Sequence, residues 1–200
     1  MRILVRILAS ITALFVCCQA LADVNCSRSQ LGNAVNAYIE AQTAGDPDRM
    51  PLAPRAVFME QMERIGRSDS IVNTALAIDF HRSLLDEYTC QTYTEIIVLD
   101  ESHSYSIGTR LRVTANAVSE VEVVVTDEGD WLFNAQNAFD RSSAEDWSII
   151  PESERFGLAR FGAKARSDVH LFRLEHDKLH YVHTLTVCDP EPMCGGRPGI

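Results

Sequence analysis

The sequence predicts an α+β domain in which N-terminal helices pack on a curved antiparallel sheet. Three observations carry this. Apolar residues recur at helical spacing early in the chain, and from Gln91 onward the period shortens to two. The later segments are short, rich in Val, Ile, Thr and Tyr, and separated by turn residues. Helices first and strands afterwards suit one sheet with helices on it, not alternating βαβ units.

The opening MRILVRILASITALFVCCQALA has the three parts of a secretory signal peptide: Arg2 and Arg6, an apolar run from Ile7 to Cys18, and small residues at Ala20 and Ala22. That run is shorter than the about 20 residues a membrane span needs. A signal peptide over 1–22 is therefore expected, with a mature start near Asp23, a single domain over 23–188 and a loose Pro/Gly-rich tail over 189–200.

Residues 29–44 are predicted helical, with Leu31, Val35, Tyr38 and Ile39 on one stripe and Gly45-Asp46-Pro47 as the stop. Residues 50–54 read as irregular, 57–62 as a first strand, and 66–74 show no clear period. Residues 75–88 are predicted as a second helix, with Leu76, Phe80, Leu84 and Leu85 on its apolar face. Segments 91–99, 105–114 and 118–126 are predicted antiparallel strands. Segments 131–139 and 142–160 are expected to be mostly irregular, with a short helix near 151–158. Residues 169–175 and 179–187 flank His176-Asp177 as a terminal hairpin.

The net charge of the 200-residue chain is −10. Losing Arg2 and Arg6 with the signal leaves 16 of the 18 basic residues against 28 acidic ones, a net charge of −12. An acidic chain without a basic stripe repels phosphate backbones, so nucleic acid is not an expected partner. No second apolar run of span length follows, so no membrane association is expected after signal cleavage.

Cys17 and Cys18 leave with the signal, and Cys26, Cys90, Cys188 and Cys194 remain. Four thiols in an oxidising compartment predict two disulfides, with three pairings open. Zinc is disfavoured, because only Cys188 and Cys194 are near each other and no CxxC occurs. Asn25-Cys26-Ser27 is a glycosylation sequon; an early bridge at Cys26 would lower its occupancy.

Candidate chemistry centres on Glu95, which period two places on a strand face with Tyr93 and Ile97. A carboxylate in apolar surroundings holds its proton more tightly, which suits general acid or base work. Solvent or an Arg partner for Glu95 is the structural alternative. His180 and His183 resemble HxxH, but an odd spacing on a strand sends them to opposite faces, so they do not form a metal site. His183 shares the core-facing side with Tyr181 and Leu185. If Glu175 opposes Lys178, His170 opposes His183, as a proton-handling or a structural pair. His81 is expected at the boundary of the second helix. An apolar small-molecule cavity lined by Tyr93, Ile97, Ile107, Leu111, Tyr181 and Leu185 is expected. No GxSxG, HExxH, GxGxxG or phosphate loop occurs. An enzyme built this way shapes and polarises its substrate, with no metal and no cofactor expected.

Several strings carry a resemblance: Asp79-Phe80-His81-Arg82-Ser83-Leu84-Leu85-Asp86, Cys90-Gln91-Thr92-Tyr93-Thr94-Glu95, Asp130-Trp131-Leu132-Phe133-Asn134-Ala135 and His170-Leu171-Phe172-Arg173-Leu174-Glu175. They resemble a fungal secreted family of uncharacterised proteins related to the SnoaL-like group. The resemblance implies the cone-shaped α+β fold of nuclear transport factor two, with an apolar cavity. It also implies a cyclase, isomerase or pericyclase of hetero-Diels–Alderase type in fungal polyketide or terpenoid metabolism. A non-catalytic secreted ligand-binding or interaction protein is the alternative. Compared with longer relatives, the chain is shortened before the terminal hairpin. The expected partners are an apolar small molecule and, as an option, a second copy of the chain, in the secretory lumen or outside the cell.

Overall fold

The computed structural model describes residues 26–145, 157–163, 166–175 and 178–188. The expected signal peptide, the sequon at Asn25, the start of the short helix near 151, Cys194 and the tail over 189–200 lie outside these residues.

Helix α1 (Arg28–Ala44) starts on a capping box: Ser27 Oγ accepts from Gln30 N at 3.2 Å, and Gln30 Oε1 accepts from Ser27 N at 2.7 Å. Gly45 ends it at φ 64°, where a Cβ would also lie 2.6 Å from Ala75 N. The expected stripe is the buried one, with Leu31, Val35 and Tyr38 inside. Buried Gln42 then donates to the carbonyls of Ile71 and Thr74 at 3.0 and 2.9 Å, tying that later segment to the end of the helix.

Among the described residues six strands form the main sheet: β1 (Leu52–Glu60), β2 (Glu63–Ile65), β3 (Phe80–Asp86), β4 (Gln91–Val98), β5 (Tyr105–Thr114) and β6 (Ala117–Thr126). Their order is β2-β1-β6-β5-β4-β3. The sheet is mixed, not wholly antiparallel, because β1 runs parallel to β6. Tight connections force β3 to β6 into antiparallel pairs, whereas β1 reaches β6 only through the rest of the sheet and is free of that constraint.

The expected second helix is strand β3. Phe80 and Leu84 are four apart, a spacing that fits one helical turn and also two strand repeats, so the apolar pattern does not separate them. Pairing decides it. Phe80 to Asp86 runs antiparallel to Ile97 to Gln91, and Asp86 Oδ1 accepts from the backbone of Tyr88 and Thr89 to make the reversal. His81 is consequently an exposed strand residue opposite Ile96.

Two further elements replace expected irregular chain. Helix α2 (Ala135–Ala144) begins on Asn134, whose side chain accepts from Asn137 N at 2.8 Å. Strand β7 (Gly157–Ala163) joins β8 (Arg166–Glu175) and β9 (Lys178–Cys188) in a second, antiparallel sheet. The expected hairpin is its β8–β9 part, and Glu175 does oppose Lys178. A bulge then shifts the register: Leu174 pairs Leu179 but Arg173 pairs Tyr181, which leaves His180 between them. That one residue moves every later partner, so His170 faces Thr184 and His183 faces Leu171. The expected His170–His183 pair does not form; His170 Nδ1 lies 2.9 Å from Thr184 Oγ1 instead.

The centre of the main sheet, β4 to β6, is buried on both faces. Against α1 lie Ile96, Ile107, Leu111, Val121 and Val123, with Tyr38 Oη 2.6 Å from Thr109 Oγ1. Against the second sheet lie Tyr93 and Val124, packed on Val169, Leu171, Leu185 and Val187. A Cys26–Cys90 disulfide joins the start of α1 to the β3–β4 turn, and Cys188 is disulfide-bonded too. Among the described residues no helix is long and apolar enough to cross a membrane.

Candidate functional site

A cleft of about 640 Å³ opens between the outer face of the main sheet, α2 and β9. Glu95 of β4, Ser106 of β5 and Thr126 of β6 form its floor, and Tyr181, His183 and Leu185 of β9 one side. Trp131, Leu132 and Phe133 lead into α2 on the other. Acidic, basic and amide side chains alternate here with aromatic ones, so the lining is mixed where an apolar cavity was expected.

Strand alternation puts Tyr93, Glu95 and Ile97 on the cleft-side face, and β5 continues that face with Ser106, Gly108 and Arg110. Glu95 sits opposite Gly108. The missing side chain there has a physical reason, since a Cβ at Gly108 would lie 2.6 Å from Tyr93 Oη and 2.8 Å from Leu185 Cδ1. Gly108 thus lets β9 settle onto the sheet beside Glu95.

His183 is seated between two carboxylates. Its Nδ1 is 3.0 and 2.9 Å from the two Glu95 oxygens, and its Nε2 is 2.9 Å from both oxygens of Glu145. Glu145, the C-cap of α2, is also bridged by Arg82 Nη1 at 2.9 Å. Burial works against a charge on the His183 imidazole, but hydrogen bonds and charge from Glu95 and then Glu145 outweigh it, raising the pKa above the ordinary 6.5. The geometry agrees: an imidazolium has an N–H for each carboxylate, whereas a neutral ring would turn a lone pair towards one of them. Glu95 itself is 4% exposed. Tyr93 lies close by, its phenol pKa pushed well up by burial and by the Glu95 and Tyr38 charges.

A second ionic group occupies the same face. Buried Arg110 donates to Glu122 at 2.7 Å, to Gln91 at 2.9 Å and to Glu120. It ties β4, β5 and β6 together and lies outside the cleft lining.

The structure brings Glu95, His183, Tyr181 and Leu185 to one cleft. Tyr93 and Ile97 are buried on that face without lining it, while Ile107 and Leu111 are on the opposite face, in the α1 core. Sequence reasoning missed Glu145 and Arg82, and with them α2. The available signal was Asn134 as a cap, three residues before the amide it accepts from, but the polar helix behind it has no long apolar stripe. Among the described residues no cluster of three His, Cys, Asp or Glu side chains has metal-holding geometry.

Such an array can orient a carboxylate against a bound molecule and keep the charge of the floor balanced, which is what proton transfer in a partly dry cleft requires. Solved structures with a similar fold include an NTF-2 like protein of unknown function from Burkholderia xenovorans LB400. It has a TM-score of 0.39 and 16% identity, over 62% of this chain and 97% of that one. A candidate ketosteroid isomerase from Kribbella flavida DSM 17836 gives a TM-score of 0.38 and 16% identity, over 64% and 96%. An NTF2-like protein of unknown function from Shewanella baltica OS155 gives 0.33 and 11%, over 49% and 92%. No curated protein matches the sequence. Residues 25–186 match the family described as "Domain of unknown function (DUF8021)", and the chain belongs to that family.

Proposed function

We propose that the cleft binds a small molecule and moves a proton within it, as a cofactor-independent isomerase or cyclase. The observation that carries this is the buried Glu95 carboxylate held by His183, itself held by Glu145, at the floor of a cleft. In this reading Glu95 removes a proton from carbon next to a carbonyl, and the same proton returns to another atom of the substrate. Bonds and charges balance without an external reagent. His183 orients Glu95 and offsets its charge, and Ser106 and Thr126 face the bound molecule. Trp131, Phe133 and Tyr181 give the cleft an aromatic wall suited to a flat, apolar substrate body.

The narrower reading is a pericyclase of hetero-Diels–Alderase type in fungal polyketide or terpenoid metabolism. It rests on the sequence resemblance, and such catalysis needs the positioning that this wall supplies. The proposal includes secretion after cleavage near Asp23, glycosylation at Asn25 and a Cys188–Cys194 bridge. The Cys26–Cys90 disulfide supports an oxidising route.

The test is turnover by the mature chain of β,γ-unsaturated ketones, followed by absorbance of the conjugated product, and of quinone-methide plus polyene pairs for cycloaddition. Glu95→Gln is expected to slow isomerisation by about 100-fold or more, and His183→Asn to slow it as well. Acceleration of neither reaction by the wild type would remove the enzymatic reading and leave the ligand-binding alternative. Acceleration untouched by both substitutions would remove these residues from it.

A further inference from the structure

Glu145 stands where local electrostatics oppose it. It is the C-cap of α2, at the end of the helix where unpaired carbonyls and the macrodipole already concentrate negative charge. A carboxylate there gains by turning out to solvent, yet Glu145 turns inward and has both oxygens on His183 Nε2. A residue that breaks a local rule in this way marks a function or a compensating partner, and the partner is visible.

Arg82 of β3 is cross-strand neighbour to Glu95, so it starts on the cleft side of the sheet. Its guanidinium reaches Glu145 Oε2 at 2.9 Å and the Ser142 carbonyl, in the last turn of α2, at 2.5 Å. One planar fork thereby satisfies both the helix end and the misplaced acid. The fork is itself held over the Phe80 ring at 5.1 Å, and Phe80 packs edge-on against Phe139 of α2 at 6.4 Å. Arg82 and Glu145 are both nearly buried, with side chains 12% and 13% exposed.

We propose that Arg82 is a positioning residue of the cleft, which holds Glu145 on His183 and fixes the end of α2 as one wall of the site. This deepens the reading of the cleft as a proton-transfer site and rests on it for its importance to catalysis, though not for its test. The imidazole contacts Glu95 from β4 and Glu145 from α2; Arg82 from β3 stands behind Glu145, and Arg141 from α2 and Tyr181 on its own strand line the same cleft.

The sign of one effect separates positioning from simple proximity. Removing a nearby positive charge, with nothing else moved, raises the pKa of His183. Releasing Glu145 takes a carboxylate away from Nε2 and lowers it. The experiment is a titration of the His183 ring by nitrogen-15 shifts in the full mature chain, for wild type, Arg82→Gln, Arg82→Lys and Glu145→Gln. Arg82→Gln is expected to lower the pKa by about 1 unit, as Glu145→Gln does. Arg82→Lys keeps a charge but loses the fork, so it is expected to fall in between, and it carries the test if the Gln variant does not fold. A rise or no change in Arg82→Gln, or a Lys variant no different from wild type, would overturn the proposal. Because no substrate is used, a fall alongside acceleration of neither reaction would sink the enzymatic reading and leave Arg82 in its positioning role.

Discussion

Substituting Gly108 by Ala joins the packing of the two sheets to the chemistry of the cleft. The new methyl would lie 2.6 Å from Tyr93 Oη, 2.8 Å from Leu185 Cδ1 and 3.2 Å from Tyr93 Cε2. Ordinary contacts need about 3.5 Å or more, so Leu185 must retreat by roughly 1 Å. Tyr93 has little room to yield, since it is 6% exposed and packed among Val124, Val169 and Leu171. Overpacking of this kind costs about 1–3 kcal/mol. Loss of chain freedom in the unfolded state returns about 0.4–1 kcal/mol, so the net expectation is a destabilisation of about 1–2 kcal/mol. His183 precedes Leu185 by two residues on the same side of β9, so the same retreat stretches its 2.9 Å contact to Glu95 beyond hydrogen bonding. Urea denaturation would read the first effect and titration of His183 the second, as a fall in pKa. Gly32→Ala is the control: nothing lies within 4 Å of its Cβ, and in the interior of α1 it should stabilise by about 1 kcal/mol. A Gly108→Ala protein as stable as wild type, with His183 titrating unchanged, would refute the placement of β9 on β5.

Other perturbations have definite signs. Because His183 has a folded pKa above 6.5, its contribution to stability is complete below that pH and is lost as pH rises through the folded value. The melting temperature of wild type should therefore drop more steeply on the alkaline side than that of His183→Gln; parallel curves would contradict this. Leu132 holds φ at 55° while 63% exposed at the mouth of the cleft. Leu132→Asn, which tolerates that backbone, should raise stability by about 1 kcal/mol, measured by denaturation, and weaken binding of apolar ligands; a loss of stability would refute it.

Much of the fold was readable from the sequence where an element carries a clear pattern between turn residues. Helix α1 has one buried stripe, and β4, β5, β6, β8 and β9 are runs rich in Val, Ile, Leu, Thr and Tyr that lie close to their expected bounds. Three features were not readable, for different reasons. In β3 the four-residue spacing of Phe80 and Leu84 serves helix and strand alike, and only pairing with β4 chooses. Helix α2 is mostly solvated and held by a few contacts, Phe139 and Arg82 among them, so it shows no stripe. The bulge at His180 is a pairing decision without a local sequence mark, and it alone decides whether His183 meets His170. The site followed the same division. Glu95 and His183 were legible from strand faces, whereas Glu145 depends on where α2 ends. The mixed lining of the cleft also follows from pairing: β4 and β5 place Glu95 and Ser106 on the face where Ile107 and Leu111 do not appear.

The central claim is that His183 is an imidazolium held between Glu95 and Glu145, and the protonation of its two ring nitrogens at neutral pH tests it most directly. Nitrogen-15 spectra of the mature protein at pH 7 should show both nitrogens protonated, and Glu95→Gln should lower the pH at which one proton leaves. A ring that is neutral at pH 7, or one that titrates identically in Glu95→Gln, would contradict the account.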